Sequence, residues 1–368
     1  MPGLSPEASF AAALGALPGF LREGPFGLAV SGGSDSMALL YLAGDYSAQR
    51  GTALAVFTVD HGLRPDAAAE AARVADACAQ LGLAHRTLQL AGLKTQQAGL
   101  RRARHAALAV ALKQAGGRLL LTGHTGDDQA ETFLMRARQG SGWYGLAGMQ
   151  ALSLSPVWPE GAGVWIARPL LGLRRAELRA WLAGRGEGWS EDPSNDNAAF
   201  ERVRVRQMLA GAPGLFGQVM RCREDFARLR RLEDRALARW LDQGVEVRAH
   251  DIAARFETLP PERAARGLGL LIQAVTGAET PPRSEALARL SGRITGQGQD
   301  FRGATLGGAR LLPLRDGRVS VRTEHPGRAG ADCQLRLGLF RLSLAPNVAE
   351  NAHGAGKESF LYTPVPMF

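Results

Sequence analysis

The first 190 residues alternate between short apolar runs and amphipathic stretches, and this alternation limits the chain to few fold classes. Four apolar runs with the length of buried strands lie at residues 27–30, 53–59, 85–90 and 118–122. Stretches with the spacing of helices lie at residues 36–42, 67–81, 101–114 and 127–138. Strands that alternate with helices predict an α/β fold, a Rossmann-like parallel sheet with helices on both faces. Such folds bind their ligands at the carboxyl ends of the strands.

A glycine-rich loop connects the first strand to the first of these helices. Its residues are Ser31, Gly32, Gly33, Ser34, Asp35 and Ser36. Adjacent glycines allow positive φ and the close approach of a ligand, and the amides at a helix N-terminus attract anions. Because no lysine follows the glycines, the loop is poorly suited to the γ-phosphate transfer of common NTPases. The loop predicts a phosphate site, and an aspartate beside phosphate indicates a bridging Mg²⁺. The alternative is an ordinary Gly-Ser turn.

A second polar segment follows the fourth strand and begins a helix. It contains His124 and the acids Asp127, Asp128 and Glu131. Asp128 and Glu131 are three residues apart and therefore share a helix face, while Asp127 suits the positive end of the helix dipole. The alternative is a simple N-cap with surface acids. That alternative fits Asp127 alone better than it fits three acids and a histidine at the carboxyl end of a strand.

The charge of the chain suits an anionic partner. The formal net charge is +9, from 44 basic and 35 acidic residues. Residues 200–240 have a helical pattern and hold ten arginines against five acids. Such a balance suits nucleic acid. Only three of the basic residues are lysines, so a genome bias toward arginine codons explains the charge equally well.

The composition after residue 199 changes, which predicts a second domain. We expect a catalytic domain at residues 1–205, a mainly helical substrate-binding domain at residues 206–325 and a tail at residues 326–368. Helical patterns lie at residues 260–277 and 284–292, and short apolar runs at residues 310–314 and 318–321 predict a small β element.

Cysteine usage and hydropathy point to a reducing compartment and no membrane. Cys78, Cys222 and Cys333 are far apart and form no C-x-x-C pair, so neither a disulfide framework nor a metal cluster is expected. The apolar stretch at residues 11–21 is interrupted by Gly15 and Pro18, which predicts a short amphipathic helix rather than a signal peptide. No run approaches the ~20 apolar residues of a membrane span. We therefore expect a cytoplasmic protein.

With these segments in place, residues 25–210 resemble the tRNA(Ile)-lysidine synthetase family of N-type ATP pyrophosphatases, also called PP-loop proteins. The motifs that carry the resemblance lie at residues 31–36, 59–64, 97–104, 122–132, 140–149, 168–171 and 189–195. The last of them, Trp-Ser-Glu-Asp-Pro-Ser-Asn, is followed by a basic helix, and the combination is specific to this family. The sequence departs from the family pattern at His105, Asn197 and Val203.

The resemblance implies a two-step ligase reaction. The C2 oxygen of the cytidine at the first anticodon position (C34) of a CAU-anticodon tRNA(Ile) attacks the α-phosphate of ATP. Pyrophosphate leaves, and the ε-amine of free L-lysine then displaces AMP to form lysidine. ATP and Mg²⁺ are the implied cofactors, and tRNA(Ile) and L-lysine are the implied partners. The oligomeric state is left open, with a homodimer among the alternatives.

Roles for individual residues come from the same resemblance. ATP is expected to bind at Ser31, Gly32, Gly33, Ser34, Asp35, Ser36, His61 and His124. Mg²⁺ is expected at Asp35 and Asp128, and Asp128 and Glu131 are the candidates to bind lysine and steer its proton. Arg104 matches the family arginine near the transferred group. The residues expected to reach phosphate or the reacting base of tRNA are Arg202, Arg204 and Arg206.

Three other functions compete with this interpretation. A tRNA thiolase of the same superfamily would adenylate a base in the same way, but such enzymes use paired cysteines that this chain lacks. An amidotransferase-type synthetase would need an ammonia source, and no glutaminase half is recognisable. A non-catalytic RNA-binding module would not need the intact Asp35 and Asp128.

Overall fold

A computed structural model describes residues 4–60, 67–90, 97–191, 199–212, 214–296, 301–324 and 333–345. Its contacts divide the chain into two compact units, residues 1–230 and 231–368. These units are defined by packing alone. The functional boundaries expected after residues 205 and 325 therefore stay predictions.

The first unit contains a six-stranded sheet and its helices. The strands are β1 Phe26–Ala29, β2 Leu54–Asp60, β3 Ala84–Gln89, β4 Leu119–Thr122, β5 Leu152–Leu154 and β6 Trp165–Ala167. The helices that begin in this unit are α1 Pro6–Gly15, α2 Ser34–Arg50, α3 Ala67–Gln80, α4 Gln97–Gln114, α5 Gly126–Arg138, α6 Trp143–Leu146, α7 Arg175–Gly184, α8 Glu201–Gly211 and α9 Leu215–Gln243.

The sheet confirms the predicted α/β class. Its strand order is β3-β2-β1-β4-β6-β5, and every pairing is parallel except that of β5 with β6. Leu119, Leu120 and Leu121 of β4 are at most 1% exposed although they alternate between faces, so both faces of the sheet are covered. The chain leaves β1 toward β2 on one side and returns to β4 on the other. The carboxyl ends of β1 and β4 therefore form the topological switch point at which such folds bind ligands.

The N-terminal helix differs in position from the prediction. It spans Pro6–Gly15 rather than residues 11–21, and a single 3₁₀ turn, Gly19–Leu21, follows it. The helix begins early because the Ser5 side chain accepts a hydrogen bond from the amide of Ala8 and Pro6 occupies the first helical position. Phe10 and Leu14 provide its buried face.

The second unit is α+β, as expected, but its β element is larger than predicted. Beyond α9 it contains β7 Val245–Val247, β8 Ile252–Ala254, α10 Pro261–Thr276, α11 Ser284–Thr295, β9 Ala304–Leu306, β10 Ala309–Pro313, β11 Val319–Thr323 and α12 Cys333–Leu344. The strands form an antiparallel sheet in the order β7-β8-β11-β10-β9. Leu268 and Ile272 of α10 share one apolar core with Ile252 and Val321 of the sheet. None of the described helices is both long and apolar enough to cross a membrane.

Candidate active site

The loop after β1 folds into a tight turn at the start of α2. The amide of Ser31 donates to the hydroxyl oxygen of Ser36 at 3.2 Å, and that hydroxyl donates to the carbonyl oxygen of Gly33 at 2.9 Å. Gly32 has a φ of +91°, a conformation that favours glycine. Gly33 is the N-cap residue of α2, and it has no side chain that could accept a hydrogen bond from the first amides of the helix. The turn has the form of an anion cradle.

A second glycine lets the loop after β4 pack against this turn. A Cβ atom at Gly123 would lie 2.9 Å from the carbonyl oxygen of Asp35 and 3.2 Å from the Cα atom of Ser36. Both atoms belong to helix backbone, which cannot move aside as a flexible side chain can. The close approach of β4 to α2 therefore requires glycine at position 123.

We expect Gly123→Ala to lower the free energy of unfolding by about 1–3 kcal/mol, because overpacking against backbone forces a shift of α2. Gly44→Ala in the same helix is the matched control, since its Cβ would make an ordinary 3.4 Å contact with the Leu81 side chain. Chemical denaturation of both variants measures the difference. Equal stability of the two variants would contradict this account.

The segment after β4 starts α5 with a capping box that also shapes the site. Oδ2 of Asp128 accepts hydrogen bonds from the amide of Thr125 at 2.7 Å and from its hydroxyl at 3.0 Å. Its other oxygen, Oδ1, faces a group of arginines instead. Asp128 is thus at once the capping acid and a member of the polar cluster. Asp127 accepts the amide of Arg175 at 2.7 Å and pairs with the Arg174 guanidinium at 3.1 Å, so it anchors the start of α7.

Arg175, which the sequence did not single out, joins three of the predicted carboxylates. Its guanidinium lies 2.8 Å from Asp35, 3.2 Å from Asp128 and 3.3 Å from Glu131. The Arg175 side chain is only 16% exposed. One cation therefore brings together the acid of the glycine-rich loop and two acids of α5, at the switch point of the sheet.

Glu131 is the most buried acid of the cluster. Its side chain is 1% exposed, and besides Arg175 it accepts from Arg202 at 2.6 Å and from Arg206 at 3.0 Å. Arg202 also reaches Asp128 at 2.6 Å. Of the three arginines predicted on α8, the structure thus brings Arg202 and Arg206 to the carboxylates. The exposed Arg204 instead donates to the carbonyl oxygen of Ala199 at 2.9 Å.

Asp35 and Asp128, the two aspartates of the cluster, have opposite pKa shifts. Burial raises the pKa of Asp35 above its ordinary value, although Arg175 acts to lower it. Burial also acts to raise the pKa of Asp128, but Arg202, the amide of Thr125 and Arg175 outweigh it and hold that pKa below its ordinary value. For Arg175, burial opposes ionisation, yet Asp35, Asp128 and Glu131 raise its pKa further. The guanidinium is therefore firmly charged at neutral pH.

A second group of basic side chains lies near His124. Burial and the nearby Arg168 lower the pKa of His124 to about 4, so its imidazole is neutral at pH 7. Its Nδ1 atom is 2.9 Å from the hydroxyl of Thr122. Burial, together with the positive charges of Arg104 and Arg101, lowers the pKa of His105 to about 4. Arg104, the arginine expected near the transferred group, is exposed on α4. This excess of positive charge suits an anion.

Two parts of the predicted site fall outside the described residues: His61 and the motif at 192–195. In the described part of the chain, no group of three or more His, Cys, Asp or Glu side chains is arranged to hold a metal ion. Asp35, Asp128 and Glu131 are instead joined by the guanidinium of Arg175.

A strand–loop–helix anion cradle without lysine, with acids at the switch point, defines a PP-loop ATP-binding protein. The family model described as a PP-loop domain matches residues 7–212. The tRNA(Ile)-lysidine synthase of Hyphomonas neptunium is 54% identical over the whole of both chains. Those of Novosphingobium aromaticivorans and Ruegeria pomeroyi are 40% and 36% identical, over 87% and 78% of this chain and 88% and 68% of their own. The chain belongs to the tRNA(Ile)-lysidine synthase family of PP-loop proteins, which confirms the resemblance inferred from its motifs.

Proposed function

We propose that this chain converts the cytidine at the first anticodon position of a CAU-anticodon tRNA(Ile) to lysidine, using ATP and L-lysine. The observation that carries the proposal is the cluster of Asp35, Asp128 and Glu131 beside the glycine-rich turn. It places acids that suit a metal and an ammonium group next to a cradle that suits pyrophosphate. Both steps of the reaction need that combination.

The first step is adenylation of the base. Ser31, Ser34 and Ser36, with the first amides of α2, would hold the β,γ-diphosphate as a leaving group. The absence of a lysine after the glycines agrees with attack at the α-phosphate rather than transfer of the γ-phosphate. His124 is neutral at pH 7 and is therefore able to donate a hydrogen bond to phosphate without adding charge.

The donor set fits Mg²⁺. Asp35 and Asp128 present carboxylate oxygens to neighbouring nitrogens of one guanidinium, at 2.8 and 3.2 Å, so both acids face the same part of the site. Mg²⁺ typically binds through one or two carboxylates plus substrate phosphates. When bound, the ion would neutralise charge on the leaving pyrophosphate. Arg175 holds the same carboxylates in the structure, so its guanidinium would have to move from them for Asp35 and Asp128 to hold the ion.

The second step needs acids that receive the lysine ammonium group and accept its proton before attack. Asp128 and Glu131 are our candidates for both tasks. Asp128 is 11% exposed and Glu131 1%, so Asp128 is the more accessible of the two. Glu131 holds Arg202 and Arg206 in place, and through them the start of α8.

The nucleic-acid side of the site is basic. Arg202, Arg204 and Arg206 lie within about the first turn and a half of α8, and Arg202 and Arg206 face the carboxylate cluster while Arg204 lies on another face of the helix. Their guanidinium groups suit phosphate or the edge of a base. The target base must leave its stack to reach phosphorus, as an anticodon loop permits.

The thiolase alternative has little support from the cysteines. Cys78 and Cys333 are buried, and burial raises the pKa of each thiol to about 11. Cys222 is exposed and, like the other two, is free. Thiols with such pKa values are poor nucleophiles at neutral pH.

The test is incubation of the purified protein with CAU-anticodon tRNA, ATP and lysine. We expect AMP release that requires both tRNA and lysine, and lysidine in the nucleosides analysed by mass spectrometry. A matched tRNA with a different first anticodon base is the control. Release that ignores lysine but needs a sulfur donor would favour the thiolase. Cleavage of ATP to ADP and orthophosphate would contradict the proposal.

A further inference from the structure

Two arginines reach the glycine-rich turn from helices outside the carboxylate cluster. On α7, Nε of Arg179 donates to the hydroxyl oxygen of Ser34 at 3.2 Å. On α3, Arg73 donates to the hydroxyl oxygen of Ser190 at 3.0 Å through Nε and at 2.6 Å through a terminal nitrogen. The amide of Ser190 in turn donates to the carbonyl oxygen of Gly32 at 2.8 Å. Both guanidinium groups thus approach the turn, one directly and one through Ser190.

The charges of these arginines are only weakly neutralised by the protein. Arg73 contacts a neutral hydroxyl and pairs with no carboxylate in the described part of the chain. Arg179 pairs with Glu191 at 3.1 Å, but the two side chains are 42% and 61% exposed. Exposed ion pairs of this kind contribute little and exchange partners easily. Arg175 lies one turn before Arg179 on α7, and its charge is neutralised by contacts with three carboxylates.

A diphosphate held in this turn needs positive charge that the turn itself lacks. In common NTPase loops a lysine supplies it, and no lysine follows Gly32 and Gly33 here. Backbone amides and serine hydroxyls provide hydrogen bonds but no net charge. Guanidinium groups bind phosphate oxygens through two parallel hydrogen bonds, so an arginine near the turn is well suited to the task.

We infer that Arg179 and Arg73 bind the β,γ-diphosphate of ATP at the glycine-rich turn and hold pyrophosphate as it leaves. To do so, Arg179 would exchange its contact with Glu191 for the phosphate, and Arg73 would extend past the hydroxyl of Ser190 to the turn. This assignment rests on the proposed function, because it takes the turn to be the diphosphate site. It adds two binding residues from α7 and α3.

The test compares Arg179→Gln and Arg73→Gln with Arg185→Gln. Arg185 follows α7 and pairs with Asp45 at 2.8 Å, so it controls for the loss of one positive charge near the same helix. We expect each of the two variants to raise the KM for ATP and the inhibition constant of pyrophosphate roughly tenfold, the usual effect of losing a charged hydrogen bond. The inhibition constant of AMP, which lacks these phosphates, should not change. Arg179→Lys should recover part of the loss.

Other outcomes would overturn the inference. If AMP binding weakens as much as pyrophosphate binding, the arginines shape the turn rather than contact the diphosphate. If Ser190→Ala reproduces the whole effect of Arg73→Gln, Arg73 acts only through Ser190. If the wild-type protein forms lysidine and both variants keep unchanged constants, the two arginines do not bind the diphosphate, and the proposed function stands. If the wild-type protein consumes no ATP in the presence of tRNA, the proposed function itself is wrong.

Discussion

Replacing Asp35 with asparagine is expected to abolish the release of AMP and pyrophosphate while tRNA affinity stays the same. Asp35 is the only acid of the glycine-rich turn and lies 2.8 Å from the cation that also holds Asp128. The amide of asparagine is a weaker ligand for Mg²⁺ and carries no charge. We expect the rate of adenylation to fall at least about a thousandfold, equivalent to ~4 kcal/mol on the barrier.

The fold should tolerate Asp35→Asn. Burial raises the pKa of Asp35, so ionisation of this carboxyl lowers the stability of the folded state. That loss of stability develops as the pH rises from the ordinary pKa of an aspartate through the raised pKa of Asp35. A neutral side chain avoids that penalty. Asp45→Asn is the matched control on the same helix, because Asp45 pairs with Arg185 away from the cluster. Normal ATP turnover in Asp35→Asn would contradict the metal role, and a large fall in its Tm would mean that the variant tests stability instead.

The parts of the site that could be predicted from sequence are those encoded in one short segment. The strand, the glycine pair and Asp35 stand next to each other, as do β4, Asp128 and Glu131. In each segment an apolar run ends at a polar turn that begins a helix, and this local pattern predicts the strand, loop and helix that the structure has. Their convergence follows from the parallel sheet, which brings the carboxyl ends of β1 and β4 to one edge.

Arg175 could not be found in this way because its partners are distant in sequence. It lies 140 residues from Asp35, and nothing in the local pattern of α7 distinguishes it from Arg174 or Arg179. Glu177 accepts the amide of Arg174 at 2.7 Å at the start of α7, but Arg174 stands where the capping-box pattern has Ser or Thr, so the sequence carries no clear mark of this helix start. The missed strands have a different cause. β5, β6, β7, β8 and β9 have three residues each, too few for alternation to be read.

Arg175→Gln should cause the largest loss of stability among single changes at the site. The substitution leaves Asp35, Asp128 and Glu131 without their common cation, and the Arg175 side chain is only 16% exposed. Removing one partner of a buried ion pair costs about 3–5 kcal/mol, because the remaining charge is uncompensated. Arg174→Gln is the matched control. Arg174 is 43% exposed, pairs with Asp127 and covers the Phe216 ring, so its loss should cost about 1 kcal/mol.

The pH dependence separates loss of a cation from loss of packing. In the wild type, Arg175 acts to lower the pKa of both Asp35 and Asp128, so both values should be higher in Arg175→Gln. The unfolded chains of the two proteins titrate alike. The stability that Arg175→Gln loses is therefore greatest where these carboxyls are ionised and disappears where they are protonated. The difference in unfolding free energy between Arg175→Gln and wild type should therefore be largest near pH 7. It should begin to shrink above the ordinary aspartate range of about 4, because the pKa of Asp35 is already raised, and shrink further at lower pH as Asp128, whose pKa is lowered, takes up its proton. Urea denaturation across this range measures it. A difference that stays constant with pH would show that Arg175 stabilises the protein by packing, and the idea of a charge that Mg²⁺ must displace would lose its support.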